Sequence, residues 1–210
     1  MVEKGVQGPA MNPSRSDKTT SVLLVGVGGQ GTILAGKVIS AAAIEMGYDV
    51  KMSEVHGMAQ RGGSVSTHVR WGPKVHSPLI KEGGADFIVA FESLEALRWI
   101  RFLAPEGTVI VNNLKIPPMT VLQGAAEYPD NAIELLRARA SVVLVEAEAI
   151  ARSIGSPRSA NMVLTGVLAS RLGRSGAGAI SWEKAIRNTV PAHTVDANLA
   201  AFRAGWDMSP

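Results

Sequence analysis

The stretch that most constrains this chain is SVLLVGVGGQGTILAGKVIS, Ser21 to Ser40. Val22 to Val27, with Gly26 inside, reads as a buried strand. Gly28, Gly29, Gln30 and Gly31 follow, and Ile33, Leu34, Val38 and Ile39 then recur at helical spacing. Strand, glycine turn and helix in that order open a βαβ unit. Gly26, Gly28 and Gly31 fit G-x-G-x-x-G, in which glycines permit a sharp turn and a close approach of helix to strand. Free N–H groups at such a helix start can receive a phosphate, a partner's carboxylate or only water.

Alternating elements continue along the chain. Gly47 supplies a helix stop and Asp49 to Ser53 a short second strand. Glu54 to Gly63 is polar and glycine-containing and reads as a loop. Ser64 to Trp71 has period two, with Val65, Thr67, Val69 and Trp71 on one face and Ser66, His68 and Arg70 on a wetter one. Ala85 to Phe91, Thr108 to Val111 and Ser141 to Val145 read as buried strands. Helices are expected at Glu92 to Leu103, Asn131 to Ala140, Glu146 to Ile154, Ser159 to Leu172, Ser181 to Asn188 and Thr194 to Trp206. The expected class is α/β: a Rossmann-like, mostly parallel sheet with helices on both faces and a C-terminal helical extension. Residues 1–20 are expected to form a disordered tail, residues 21–175 the domain, and residues 176–210 an extension packed on the domain or on a partner.

Composition narrows the function. A net charge of +3 over 210 residues, without a Lys/Arg-rich run, argues against a nucleic-acid partner. No run reaches the roughly 20 apolar residues of a membrane span, and the first twenty residues lack the apolar core of a signal peptide. A cytoplasmic protein with no membrane partner is expected. There is no cysteine, so this chain offers no disulfide, no thiolate nucleophile and no cysteine-held zinc or iron–sulfur cluster.

Catalytic patterns are mostly absent. Gly31 to Lys37 has the outline of a P-loop, but Val38 stands where a magnesium-binding Ser or Thr is needed, and Gly36 and Lys37 fall inside the helix. No G-x-S-x-G occurs. His56, His68, His76 and His193 lack metal-ligand spacing, so no metal site and no catalytic residue is expected. A dinucleotide would want an acid at the end of the second strand. Glu54 is the nearest, and it sits late. A second unusual stretch is His56-Gly57-Met58-Ala59-Gln60-Arg61-Gly62-Gly63, where Arg61 offers a planar fork for a carboxylate or phosphate. It reads equally as a solvated turn or as a rigid loop directed at a neighbour or an anion. Asn161 reads as a satisfied polar group or a helix cap.

Together the two stretches are more specific than either alone. VGVGGQGTILAGKVI followed by SEVHGMAQRGGSVSTHVRWG resembles the gamma domain of the 2-oxoacid:ferredoxin oxidoreductases, and within them the beta subunits of the indolepyruvate type. The resemblance runs from about Ser21 to Leu172 and includes ADFIVAFESLEALR and NMVLTGVLA. It implies a heteromeric enzyme that oxidatively decarboxylates a 2-oxoacid, here an aryl pyruvate, to an acyl-CoA with reduction of ferredoxin. It implies that thiamine diphosphate, magnesium and 4Fe-4S clusters sit in a large alpha subunit, with CoA as co-substrate. This chain would then be non-catalytic alone. The matching motif positions are Gly26, Gly28, Gly29, Gln30 and Gly31, a candidate cofactor loop. His56, Met58, Gln60, Arg61, Gly62 and Gly63 match as a candidate interface or CoA-approach loop. The alternative from the residues alone is a stand-alone nucleotide-binding module, NAD-linked or regulatory.

Overall fold

The structure, a computed structural model, describes residues 18–56, 63–173 and 176–208. Six strands form one sheet: β1 (Thr20–Val27), β2 (Asp49–His56), β3 (Ser64–Gly72), β4 (Ala85–Ala90), β5 (Leu103–Asn112) and β6 (Ser141–Val145), in the order β2-β3-β1-β4-β5-β6. β1, β4, β5 and β6 run parallel, while β3 pairs antiparallel with both β1 and β2. The sheet is mixed and mostly parallel, as the alternation of elements predicts.

β1 lies between β3 and β4, so both of its edges are paired, and helices cover both of its faces. Val22, Leu23, Leu24 and Val25 are all fully buried. Val22 and Leu24 join Val89, Ile110 and Val145 in a core shared with the helices α1 (Thr32–Glu45), α5 (Ala147–Ser153), α6 (Ala160–Leu172) and α8 (Val195–Asp207). Leu23 and Val25 turn to the opposite core, with Ile88, Val109 and Val111 under α2 (Ser93–Trp99) and α4 (Ala132–Arg137). A continuous apolar strand is what two covered faces require.

α1 presses tightly on the sheet. A Cβ on Gly36 would stand 2.7 Å from Thr67 Cγ2 and 3.0 Å from Met52 Cε, so glycine sets the helix–sheet distance. α1 ends in a Schellman motif: Gly47 N–H donates to Ile44 O at 2.7 Å and Tyr48 N–H to Ala43 O at 3.1 Å, with Gly47 at φ +80.

Several sequence expectations change: the helix expected to reach Leu103 ends at Trp99, and β5 begins at Leu103, before the expected Thr108. β2 continues to His56, because Glu54, Val55 and His56 pair with Thr67, Ser66 and Val65; tertiary pairing outweighs their local polarity. The face of β3 expected to be wet is largely buried: Ser66 is 2% and His68 5% exposed. His68 accepts a hydrogen bond from Ile80 N–H and meets Phe102 edge-on, so the excursion after β3 covers it. The connector after β5 contains a one-turn helix, α3 (Met119–Leu122). Of the expected tail, residues 1–17 lie outside the described residues, and Thr20 already belongs to β1.

The last helices pack on the rest of the chain. α7 (Gly176–Thr189) lies against α1, and α8 crosses α6. The crossing is backbone-close: a Cβ on Gly166 would meet the Phe202 carbonyl, and one on Gly205 the Val163 carbonyl. Beside it Trp182 stacks on Phe202 at 5.8 Å between centroids. Among the described residues no helix is long and apolar enough to cross a membrane.

Candidate functional site

The two motif loops emerge together at the carboxyl end of the parallel strands. β1 ends at Val27 and β3 begins at Ser64, and these two residues are register partners. The antiparallel neighbours β2 and β3 therefore have their His56 and Ser64 ends on the side of the sheet where the glycine loop begins. Gly28 N–H donates to Gly63 O at 2.9 Å, so the loops are hydrogen-bonded to each other. The antiparallel β3 creates this proximity by taking the place next to β1. Of the second loop, His56 and Gly63 are described in backbone; Met58, Gln60, Arg61 and Gly62 lie outside the described residues.

The glycine loop is braced by two carboxamides. Gln30 Oε1 accepts from Val27 N–H at 2.7 Å, and its Nε2 donates to Phe91 O at 2.9 Å. This ties the loop to the end of β4. A Cβ on Gly26 would stand 2.7 Å from Gln30 Oε1, so the missing side chain makes room for the protein's own amide. Asn161, at the start of α6, donates Nδ2–H to Gly31 O at 3.4 Å and accepts from Met162 N–H at 2.9 Å. It is a satisfied polar group, one of the two roles its sequence position allows.

What remains open is a cleft beside the loop, of about 540 Å³. Its described walls are Gly28, Gly29, Gly31, Thr32 and Ile33 on one side, and Glu54, Val55, Val65, Ser66 and Thr67 on the other. Gly31 begins α1 without a side-chain cap, so the first N–H groups of the helix are free of intrahelical partners and carry its positive end toward the cleft. Among the described residues nothing lies within 4 Å of where a Cβ on Gly29 would stand. Ser66 Oγ is buried without a hydrogen-bond partner, the one such side-chain atom among the described residues. Sequence reading missed it, since a serine on an alternating strand carries no signal.

The cleft differs from a dinucleotide site. There the second strand lies parallel and adjacent to the first, and its terminal acid faces the ribose. Here antiparallel β3 lies next to β1, and Glu54 sits one strand further out, opposite Thr67.

Two buried acids on the other face of the sheet hold the surroundings. Glu92 caps α2: its carboxylate accepts from Glu95 N–H at 2.9 Å, Ile116 N–H at 3.1 Å and the Tyr128 hydroxyl. Ile116 and Tyr128 flank α3, so Glu92 grips both sides of that connector. Burial, reinforced by the Glu92 carboxylate, holds the Tyr128 phenol protonated well above its ordinary range. Asn112, 1% exposed, donates to Phe91 O and Glu148 Oε1 and accepts from Ala147 N–H, joining the ends of β4 and β5 to α5. The spacing E-S-L-E just after a buried strand is the signal that could have marked Glu92 and Glu95. His68 is held neutral by burial, which lowers its pKa. Among the described residues no group of three or more His, Asp or Glu could hold a metal ion.

Comparison with known proteins places this geometry. The family model described as pyruvate ferredoxin/flavodoxin oxidoreductase matches residues 21–208. The chain is 43% identical over 192 residues to the indolepyruvate oxidoreductase subunit IorB of Archaeoglobus fulgidus, covering 90% of this chain and 94% of that protein. It is 41% identical over 189 residues to the subunit of the same name from Methanothermobacter thermautotrophicus, covering 89% and 95%. Its fold matches the 2-oxoglutarate:ferredoxin oxidoreductase of Magnetococcus marinus, solved with 2-oxoglutarate, coenzyme A and succinyl-CoA bound. That match has a TM-score of 0.68 at 18% identity, over 92% of this chain and 31% of that one.

Proposed function

Because this chain belongs to the pyruvate ferredoxin/flavodoxin oxidoreductase family, we propose that it is the smaller subunit of an indolepyruvate-type 2-oxoacid:ferredoxin oxidoreductase. The complex converts an aryl pyruvate, CoA and oxidised ferredoxin to an acyl-CoA, carbon dioxide and reduced ferredoxin, and it works in the cytoplasm. The observation that carries the reading is the 43% identity across nearly the whole length of an IorB subunit.

Division of labour rests on the family to which the chain belongs, and the composition agrees with it. A chain without cysteine supplies no thiolate to an iron–sulfur cluster, and the buried acids Glu92 and Glu95 are engaged in holding the connector after β5 and the start of β3. Thiamine diphosphate with magnesium and the 4Fe-4S clusters are assigned to a large alpha subunit, and ferredoxin meets the complex there. Residues 21–175 form the gamma-type domain and residues 176–210 its helical extension.

The cleft beside the glycine loop is the place for CoA to approach. Its donors suit an anionic, partly apolar ligand: the backbone N–H groups at the start of α1, the Ser66 hydroxyl and the open face of Gly29. Ile33 and Val55, 43% and 47% exposed, give the walls an apolar character. When bound, CoA supplies the thiol that receives the acyl group. This chain's part is to bind and orient it, with Gly28, Gly29 and Gly31 forming one side and Gly26 and Gln30 bracing the loop behind them. His56, Met58, Gln60, Arg61, Gly62 and Gly63 form the approach and the contact with the large subunit.

The test is purification of the chain with and without a co-expressed large cysteine-rich subunit, assaying 2-oxoacid- and CoA-dependent viologen reduction. Activity confined to the complex supports the reading, and turnover by the lone chain overturns it. Calorimetry of the complex with CoA and with NAD separates the co-substrate reading from a nucleotide module. Arg61→Ala is expected to weaken assembly or turnover.

A further inference from the structure

We propose that Glu95 is a positioning residue that fixes the glycine loop against the start of β3, acting through Ser64. Glu95 is 2% exposed. One carboxylate oxygen accepts from the Ser64 hydroxyl, and the other accepts from Arg98 Nη1 at 2.6 Å. Trp99 Nε1–H donates to the same Ser64 oxygen at 3.4 Å. The hydroxyl is thus held by two side chains of α2, once as donor and once as acceptor.

Ser64 stands at a decisive place. It opens β3 opposite Val27, the last residue of β1. Its predecessor, Gly63, receives the Gly28 N–H. Holding Ser64 therefore holds the one described hydrogen bond between the glycine loop and the end of the second loop. The chemistry also needs a reason for the acid. A carboxylate on a buried helix face costs free energy that an alanine or leucine would not, unless its partners recover it. Both side-chain partners reach it from solvent, Arg98 at 44% exposed and Ser64 exposed at the start of β3, so each recovers only part of that cost. The bond to Ser64 links α2, on one face of the sheet, to the loops at its edge.

The consequence for catalysis rests on the subunit reading above; the consequence for the loops does not. In the full chain, Ser64→Ala is expected to speed hydrogen exchange of the Gly28 amide by roughly tenfold, the size of one lost hydrogen bond to a charged acceptor. Leu24, in the middle of β1, should exchange as before. Ser64→Thr, which keeps the hydroxyl, should restore Gly28 protection, and Glu95→Gln should loosen it. In the assembled complex, Ser64→Ala should raise the KM for CoA by about tenfold while kcat holds, the pattern of lost ground-state binding.

Unchanged Gly28 exchange, or equal loss at Gly28 and Leu24, overturns the positioning role. Loosened Gly28 with an unchanged KM overturns its bearing on CoA. Failure of the wild-type chain to form a CoA-dependent complex overturns the subunit reading instead, and the Gly28 measurement still decides the role of Glu95.

Discussion

Asn161 Nδ2 lies 2.6 Å from the point where a Cβ on Gly31 would stand, although 130 residues separate the two in sequence. The start of α1 and the start of α6 are fitted to each other at this point. Gly31 also has φ +82, so a side chain there meets two penalties. The left-handed backbone alone costs about 1–2 kcal/mol for Gly31→Ala, and displacing Asn161 adds to it. Denaturant unfolding of Gly31→Ala, Asn161→Ala and the double variant separates the two. Asn161→Ala should cost less in the Gly31→Ala background than in the wild type, with a coupling of about 1 kcal/mol. Zero coupling would mean that Asn161 swings aside freely.

The α6–α8 crossing makes a harsher demand. At Gly166 and Gly205 the obstacle is a backbone carbonyl, not a side chain that can rotate. Alanine ordinarily gains about 1 kcal/mol over glycine within a helix. Here the obstacle is backbone, so overpacking should exceed its usual cost of about 1–3 kcal/mol and outweigh that gain, leaving Gly205→Ala and Gly166→Ala each destabilised by about 2 kcal/mol or more. Urea midpoints measure the loss. Near-UV circular dichroism from Trp182 and Trp206, both beside Phe202, shows whether α8 has left α6.

The architecture was legible where a local pattern had one solution. The apolar run of β1, the glycine turn and the nearly all-buried α6 could hardly be arranged otherwise, and Gly47 stops α1 by a backbone conformation that glycine favours. The extent of β2 was not legible, because Glu54 to His56 become strand only once β3 offers them partners. The burial of His68 was hidden for a related reason: its cover comes from the excursion after β3 and from the turn at Phe102. The glycine motif could be found but not interpreted. Gly26 and Gly31 make room for the carboxamides of Gln30 and Asn161, a relationship that spacing alone cannot distinguish from room for a phosphate.

His68 gives the fold an acid-side dependence. Its Nδ1 accepts the Ile80 N–H at 3.1 Å, and burial lowers its pKa. In the unfolded chain the imidazole takes up a proton near pH 6.5 (about the ordinary value), while the native one stays neutral. The unfolded state then binds more protons, so stability falls as pH drops below that value, until the native imidazole titrates. In His68→Gln this contribution should vanish, flattening the stability profile between about pH 7 and 5. Thermal unfolding across that range measures it; an unchanged slope would place the titration elsewhere.

Tyr128 should act at the opposite end of the scale. Its hydroxyl donates to Glu92, and its pKa is raised by burial and by that carboxylate. Above about pH 10 the unfolded phenol ionises while the native one keeps its proton. The native state then binds more protons, and stability falls as pH rises. Tyr128→Phe should cost about 1 kcal/mol at neutral pH, one hydrogen bond, and should reduce the alkaline loss. Glu92→Gln should cost more at neutral pH, roughly 1.5–3 kcal/mol, because the Ile116 and Glu95 N–H groups lose a charged acceptor. Since Glu92 grips the connector from both sides, proteolysis at Lys115 should accelerate in Glu92→Gln before global unfolding does. Equal acceleration at Lys115 and at Lys37, within α1, would mean that Glu92 supports the whole domain and not the connector alone.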